Sequence, residues 1–367
     1  MYKIYFLILF SFILLSSVFA QTTLEKGDIL LVGVNFSNND NNCTSGTQNY
    51  FDNIYFISFK PIETGTEFEI TDNGYSRVFP NYFGTSEGVV NLKRTGTTIP
   101  AGQVFSINLR GVLLLGSTSK IGNQTELNAW EVTNPVNPSL TSTLFGLNAN
   151  GDQFFIMQGG IWTNSPINQG SYSGKFLFTY NSRKQWLDNQ NSVNHSGFLS
   201  ELNCYHITNS KASSNNSYRN FGYYKGNFSD NISKGEWLIR ILNEDNWANA
   251  TNCSTFTTVV PSTQLKIKGI IEQSVCSGEI EVIQETSIKN YQWFKSDNTI
   301  IGDSDDILLT SGLNLFKFNP PNQQADTYYY CRFSILGYDN SVCYFYSNLF
   351  KINGSSIPKI TSIKLNN

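Results

Sequence analysis

Acidic residues next to strand-like stretches are the side chains of this chain with the clearest chemical potential. Asp72 follows the alternating stretch "EFEIT" (67–71) and stands beside Asn73 and Gly74. Because Ca²⁺ binds carboxylate and carbonyl oxygens supplied by loops, Asp72 is predicted as a metal ligand, and calcium is the one cofactor considered. The loop acids considered as its partners are Asp28, Asp40 and Glu87.

The same stretch also fits a plain turn. Asn-Gly after an alternating strand is a strong hairpin signal, in which Gly74 would supply a positive φ that ends the strand. The spacing of a calcium loop such as DxDxDG is absent. The sequence therefore leaves metal ligand and turn residue as two interpretations of Asp72.

Residues suited to nucleophilic catalysis are scarce. The chain has only two histidines, His195 and His206, both in loop-like stretches. A glycosidase needs two facing carboxylates, and no motif marks such a pair among the 28 acidic residues. No catalytic residue is predicted, and a non-catalytic protein is favoured over an enzyme.

Two aromatic-rich stretches, 218–230 and 236–247, offer rings that stack on sugars if they are exposed. Core packing is the competing interpretation of every one of these rings. The residues chosen as candidate ligand-binding positions are Tyr223, Tyr224, Trp237 and Trp247.

Cysteine usage points to structural bridges rather than to zinc. No CxxC occurs and only two histidines are present, so a zinc site is not expected. Each predicted domain holds three cysteines, so each leaves one unpaired unless a bridge joins the domains. The six cysteines, whose pairing stays open, are Cys43, Cys204, Cys253, Cys276, Cys331 and Cys343.

The first 20 residues predict a cleaved signal peptide. Lys3 precedes an apolar run, and small residues surround Ala20. That run is shorter than the ~20 residues a membrane span requires, and no second run of that length follows. The mature chain is expected to start at Gln21, to lack a transmembrane span, and to be secreted or held on the outer cell surface.

Composition narrows the class of partner. Charged residues make up 14% of the chain and the formal charge is −3. Nucleic-acid binding relies on clustered Lys and Arg, and no basic stripe exists, so nucleic acid is not an expected partner. An extracellular glycan or a surface protein fits this weakly charged surface.

The chain is predicted to be all-β. Alternating stretches at 28–35, 53–59, 67–71, 103–109, 152–158 and 175–180 are separated by Gly, Asn, Pro and Asp. Helical signals are few, and the stretches 181–189 and 197–203 are each expected to form a short turn or helix. The predicted organisation is a signal peptide (1–20), a β-sandwich-like domain (22–258), a second β-sandwich (262–354), and a tail or the start of a missing region (355–367).

The second domain carries a tryptophan and a tyrosine–cysteine pair. "YQWF" (291–294) places Trp293 in a strand, and Tyr329 stands two residues before Cys331. With the final strand "SNLFKI" (347–352), the pattern resembles a bacterial immunoglobulin-like domain. The resemblance implies Trp293 on the third strand of the fold, and a tyrosine corner with its cysteine on the sixth.

Cys276 departs from the usual immunoglobulin pattern. It precedes "GEIEVI" (278–283), whereas the usual first cysteine lies inside that strand, near Ile283. An opening Cys-x-Gly is similar to the Ig-like modules of Bacteroidetes surface proteins. The resemblance implies that Cys276 pairs with Cys331 or Cys343, and it does not choose between them.

The first domain combines several short motifs: "GDILLVGVN" (27–35), "TDNGY" (71–75), Glu-Gly (87–88), "AGQ" (101–103) and "GDQFF" (151–155). Together they resemble a module of secreted Bacteroidetes proteins that is distantly similar to the lamin-tail β-sandwich. The resemblance implies a secreted or surface-bound β protein and no established chemistry.

These observations predict a secreted or cell-surface protein with a binding, adhesive or structural role. It is expected to be bacterial, and an extracellular glycan is the candidate ligand. A secreted hydrolase acting on glycan or nucleic acid is the alternative. A binder should present a flat aromatic patch, whereas an enzyme should present convergent carboxylates in a pocket.

Overall fold

The computed structural model describes residues 21–35, 44–45, 48–49, 53–78, 82–108, 129–133, 145–147, 151–164, 169–187, 195–209, 221–249, 264–273, 279–321 and 325–354. The predicted signal peptide, the tail after residue 354, Asp40, Cys43, Cys253 and Cys276 lie outside these ranges.

The first part of the chain is built from two packed sheets, and all six predicted strands are confirmed to within one residue at each end. Its strands are β1 (Ile29–Asn35), β2 (Thr44–Ser45), β3 (Gln48–Asn49), β4 (Asn53–Ser58), β5 (Glu67–Thr71), β6 (Tyr75–Ser76), β7 (Tyr82–Phe83), β8 (Val89–Arg94), β9 (Val104–Asn108), β10 (Trp130–Thr133), β11 (Gln153–Gln158), β12 (Trp162–Thr163), β13 (Ser171–Tyr172), β14 (Lys175–Asn181), β15 (His206–Thr208), β16 (Phe221–Tyr224), β17 (Asn231–Ile232) and β18 (Trp247–Asn249).

One sheet has the strand order β18-β16-β1-β4-β9 and the other the order β10-β8-β5-β11-β14-β15. Their facing side chains interlock, as Phe56 of β4 and Phe154 of β11 show with ring centroids 6.3 Å apart. This burial of apolar rings is the main driving force for packing the two sheets.

Within the second sheet, β11 and β14 are buried on both faces, which simple alternation does not anticipate. Along β11, Phe154 and Ile156 face the first sheet, whereas Phe155 and Met157 belong to a separate apolar cluster on the outer face. The strand pairs β6–β7 and β12–β13 cover this face. They contribute Tyr75 of β6, Phe83 of β7 and Trp162 of β12 to the cluster. The outer cluster therefore forms a third layer.

Two similar turns, "PIETGTEF" (61–68) and "TIPAGQVF" (98–105), lead into β5 and β9. Gly65 and Gly102 have φ of 89° and 80°, a region that favours glycine. Ile62 and Ile99 form an antiparallel bridge, so the two turns pair with each other.

One α-helix, α1 (Lys234–Leu242), was not predicted. Its N-cap Ser233 and Glu236 form a capping box, a signal present in the sequence as Ser-x-x-Glu before an apolar run. Of the two predicted helical stretches, 197–203 contains a 3-10 turn at Ser200–Leu202, and the described residues 181–187 form no helix. A second 3-10 turn spans Glu244–Asn246.

The second part of the chain is also a pair of sheets, which completes an all-β fold. Its strands are β19 (Lys266–Ile267), β20 (Ile271–Gln273), β21 (Ile280–Glu281), β22 (Asn290–Ser296), β23 (Ile307–Gly312), β24 (Lys317–Phe318), β25 (Thr327–Leu336), β26 (Val342–Tyr346) and β27 (Phe350–Ile352). One sheet has the order β20-β27-β25-β22-β23, with β26 paired to β25, and the other pairs β21 with β24.

The two parts share a continuous apolar core and a covalent bond. Cys204 of the first part is bonded to Cys343 of β26 across 139 residues. The expected pairing of Cys276 with Cys343 or Cys331 is wrong, because Cys343 has this other partner and Cys331 is a free, buried thiol. Cys343 faces Cys204 because β26 packs against the first part of the chain.

Polar contacts reinforce this interface. The Glu236 carboxylate of α1 accepts a hydrogen bond from the Ile283 amide at 2.9 Å. Arg240 forms ion pairs with Asp230 of the first part and Glu285 of the second. No helix within the described residues has the length and apolar character needed to cross a membrane.

Candidate metal centre

Three acidic side chains meet at one end of the second sheet. Asp72, Glu87 and Asp152 each place a carboxylate oxygen so that the three atoms lie within 4.8 Å of one another. Asp72 and Asp152 have no exposed surface, and Glu87 is partly buried.

The strand pairing explains why these residues meet. Thr71, the last residue of β5, lies opposite Val89 of β8 and Phe155 of β11. Because both pairings are antiparallel, β8 and β11 begin where the central strand β5 ends. Asp72 follows β5, while Glu87 and Asp152 precede the two neighbouring strands, so all three stand at the same end of the sheet.

Backbone amides hold the Asp72 carboxylate in place. Oδ1 accepts a hydrogen bond from the Gly88 amide at 2.9 Å, and Oδ2 accepts one from the Gly146 amide at 2.8 Å. The Asp72 carbonyl accepts a further hydrogen bond from the Gln153 side chain at 2.6 Å. The two bonds to the carboxylate oxygens fix the orientation of the Asp72 side chain.

Asn73 and Thr71 position Glu87. The Asn73 Oδ1 accepts a hydrogen bond from the Glu87 amide at 3.0 Å. The Asn73 amide group and the Thr71 hydroxyl both donate to the Gly88 carbonyl. The residues after β5 therefore bind the segment before β8 through side chains.

Asp152 is fixed at the start of β11. Its amide donates to the Ser182 hydroxyl at 2.7 Å, and its Oδ1 accepts a hydrogen bond from the Gln153 amide at 2.8 Å. The preceding Gly151 has a φ of 96°, which brings the chain sharply into the strand.

Glu87 is the member of the cluster whose buried carboxylate oxygen lacks a hydrogen-bond partner. Its Oε2 is shielded from solvent and makes no hydrogen bond, and Glu87 has no basic partner among the described residues. Burial raises the pKa of the Glu87 carboxyl, and the nearby charges of Asp72 and Asp152 raise it further. A buried carboxylate beside two others requires a compensating positive charge or a proton.

The donor set fits a hard cation. Three carboxylates supply oxygen ligands of the kind that Ca²⁺, Mg²⁺ and Mn²⁺ prefer, and neither nitrogen nor sulfur is present in the cluster. Glu87 alternatively keeps a proton and stays neutral. A cation would satisfy its buried oxygen and remove the repulsion among the three charges.

The acids proposed as partners of Asp72 are placed differently. Glu87 lies in the cluster, and Asp40 lies outside the described residues. Asp28 is instead paired with Lys60 and Lys234 elsewhere in the fold. Asp152 was missed, although "NGDQFF" (150–155) holds an acid between a turn signal and a strand, in the same way that Asp72 does.

The prediction of a tight turn at Asp72–Gly74 is wrong in two respects. Gly74 is not among the glycines with positive φ. The chain also does not fold back on β5 but continues into β6, which pairs with β7. The side chains of Asp72 and Asn73 accept hydrogen bonds from the amides of Gly88 and Glu87, and the Asn73 side chain also donates to the Thr71 hydroxyl at 3.0 Å.

The candidate ligand-binding aromatics are mostly in the core. Trp237 has no exposed surface, and Tyr224 and Trp247 are 2% and 3% exposed. Tyr223 is only partly buried. The indole nitrogens of Trp237 and Trp247 donate to the carbonyls of Lys266 and Ile241, so these rings correspond to the core-packing interpretation.

Comparisons with protein-family models, with curated proteins and with solved structures found no match to this chain.

Proposed function

We propose that this chain is an exported, non-catalytic β protein of the cell surface whose first sandwich binds a calcium ion at Asp72, Glu87 and Asp152. The observation that carries the proposal is the buried, unpaired Oε2 of Glu87 beside two other carboxylates. Calcium is chosen because it accepts several carboxylates with flexible geometry, whereas Mg²⁺ requires a near-ideal octahedron.

In this role the ion joins the three central strands. It neutralises the charges where β5, β8 and β11 meet, so it stabilises the end of the sheet from which their connecting segments leave. A surface protein exposed to extracellular calcium gains rigidity by this means. The sandwich then carries the binding or adhesive function toward an extracellular glycan or protein.

Calorimetry and thermal melting of the chelator-treated mature chain test the metal site. Calcium at 100 times its Kd should stabilise the fold by about 2.7 kcal/mol. Glu87→Gln should lose this response. Glu67→Gln is the matched control, because Glu67 is half-exposed and pairs with Lys93 at 3.1 Å. A melting temperature that neither calcium nor chelator changes would contradict the proposal.

We also infer that residues 262–354 form an immunoglobulin-like spacer. The five-stranded sheet with β26, packed against the β21–β24 pair, supports this inference. So do the buried Trp293, which donates to the Leu315 carbonyl at 2.6 Å, and the buried Tyr329 ahead of Cys331. The Tyr329 hydroxyl makes no hydrogen bond, which departs from the tyrosine-corner pattern.

A secreted hydrolase is the second candidate, because convergent carboxylates with a raised pKa also serve acid–base catalysis. The complete burial of Asp72 and Asp152 weighs against it, since a substrate must reach the reacting groups. Hydrolysis of a glycan or nucleic acid that Asp72→Asn abolishes would favour the enzyme. A glycan array probed with the mature chain tests carbohydrate binding separately.

Export is tested directly by producing the full chain with its own leader in a bacterial host. The mass of the released protein should correspond to a chain that starts at Gln21. A protein retained in the cytoplasm with its leader intact would contradict export.

A further inference from the structure

The segment that begins at Gln21 is fastened to the first sandwich from its first residue. The Gln21 side chain donates to the Gly65 carbonyl at 2.8 Å, and the Thr22 amide donates to the Thr66 hydroxyl at 3.0 Å. Two residues later, the Leu24 amide donates to the Gln158 side chain at 2.6 Å. The backbone nitrogen of Gln21 is therefore held at a defined place.

The same segment lines a cavity of about 530 Å³. Gln21, Thr22 and Thr23 line it together with Glu67, Glu69 and Lys175, among others. Two of the three ionisable residues named here already have partners: Glu67 pairs with Lys93, and Lys175 pairs with Glu25. Glu69 is different, because no basic residue among the described ones pairs with it.

Glu69 is 8% exposed, so its charge is poorly solvated. It accepts hydrogen bonds from the Tyr172 hydroxyl at 2.7 Å and from the Asn91 side chain at 3.4 Å. Both donors are neutral, so they leave the carboxylate without a counter-charge. The cavity therefore offers a site for one cation of the size of an ammonium group.

We propose that the α-ammonium group of Gln21 is the cation bound in this cavity, as the counterion of Glu69. The inference rests on the proposed export, because signal peptidase must first hydrolyse the Ala20–Gln21 peptide bond. Water adds across that bond, Ala20 leaves with a carboxylate, and Gln21 keeps an amine that takes up a proton. Processing of the leader thus completes the site with a charge the precursor lacks.

The same chemistry also admits a free amine from the surroundings. The closing experiment separates the two sources by moving the chain's own amine. It compares a chain that starts at Gln21, released without a scar from a fusion, with a chain that carries one extra glycine before Gln21. Each chain is made with and without Glu69→Gln. An N-terminal glutamine can cyclise to pyroglutamate with loss of ammonia, which removes the amine. Mass spectrometry therefore checks that the chain has not lost the corresponding ~17 Da.

The extra glycine should lower the melting temperature by about 1–2 °C in the wild-type background, because the shift per kcal/mol becomes smaller as the chain becomes longer. It should have no effect once Glu69→Gln is present. Glu279→Gln is the control, because Glu279 lies outside the cavity and pairs with Lys317 at 3.1 Å, and it should leave the effect of the glycine intact. Equal melting temperatures with and without the glycine, or equal shifts in both backgrounds, would overturn the proposal.

Two further measurements keep the test decisive. If Glu69→Gln fails to fold, the pKa of the α-amine in the wild-type chain is measured by NMR after reductive methylation, and a value at or below the usual ~7.7 overturns the proposal. If the glycine has no effect and methylammonium stabilises both chains, the cavity serves a free amine instead.

Failure here is distinguishable from failure of the proposed function. The calcium response of Glu87 is measured on the same chains and does not depend on the Gln21 amine. A released protein that starts elsewhere than Gln21 would locate the failure in the leader rather than in the cavity.

Discussion

At the scale of single residues, burial and neighbouring charges determine which protonation state of a side chain is favoured. Burial and two neighbouring carboxylates destabilise the charged form of Glu87, and burial without a counterion destabilises the charged form of Glu69. His206 shows the opposite case, a base kept neutral. Its Nδ1 is buried without a hydrogen bond, and burial lowers the pKa of His206 to about 4.

His206 should make the protein less stable in mild acid. The unfolded chain binds a proton near pH 6.5, whereas the folded chain binds it only near pH 4. Between these values the unfolded state holds more protons, so stability falls as the pH falls, by at most about 1.4 kcal/mol per unit. Urea unfolding between pH 4.5 and 7 measures this slope.

His206→Gln should reduce the slope, and His195→Gln is the matched control. Burial also lowers the pKa of His195, and the nearby positive charge of Arg183 lowers it further. The slope change should be smaller for this control. A slope that His206→Gln leaves unchanged would assign the acid sensitivity to other groups.

At the scale of elements, glycines and caps decide whether strands and helix reach the positions that the site requires. Gly88 starts the approach to β8, and a side chain there would run into the backbone of Phe145. At the other side of the fold, Glu236 serves α1 and the second sandwich at once. Both features depend on close backbone approach.

Gly88→Ala should destabilise the fold by about 1–3 kcal/mol, the usual penalty for overpacking. It should also weaken the calcium response, because the Gly88 amide holds the Asp72 carboxylate. Gly146→Ala is the control, since that amide also binds Asp72 but open space surrounds the position. Equal melting temperatures for the two variants would contradict this account.

Glu236→Ala should cost about 2–4 kcal/mol, as the sum of a lost helix cap and an unsatisfied buried amide at Ile283. Ser233→Ala removes the cap alone and should cost about 1 kcal/mol. Urea unfolding of both variants gives the comparison. The bond to Ile283 would contribute nothing if the two losses were equal.

At the scale of the molecule, the two sandwiches are joined by a shared core, by α1 and by the Cys204–Cys343 bond. Phe198 of the first sandwich packs on Tyr338 of the second, with ring centroids 4.5 Å apart. Residues 264–267, assigned by sequence to the second domain, hydrogen-bond to the first, as the Leu265 amide does with the Gly102 carbonyl at 2.7 Å.

Replacement of Cys204 and Cys343 by alanine should destabilise the protein by about 5 kcal/mol in the chain-entropy description, because the bridge closes a long loop. Urea unfolding under non-reducing conditions measures the difference. Adding reductant to the double variant should have no further effect. An unchanged unfolding midpoint in the double variant would show that the noncovalent interface alone holds the two sandwiches together.

Local patterns determined much of this protein. Period-two alternation identified the strands, because neighbouring residues of a strand face opposite sides whatever lies beyond them. A Ser-x-x-Glu box marked α1, and paired glycine turns marked the starts of β5 and β9. These features depend on residues a few positions apart, so they are legible in the sequence.

The tertiary structure alone decided the rest. Asp152 joins Asp72 and Glu87 only because β11 and β8 flank β5, and Cys343 meets Cys204 only because β26 packs on the first sandwich. Trp237 and Trp247 are core residues for the same reason. Strand neighbours are chosen by contacts between residues far apart in the chain, and no local pattern encodes which distant segments meet.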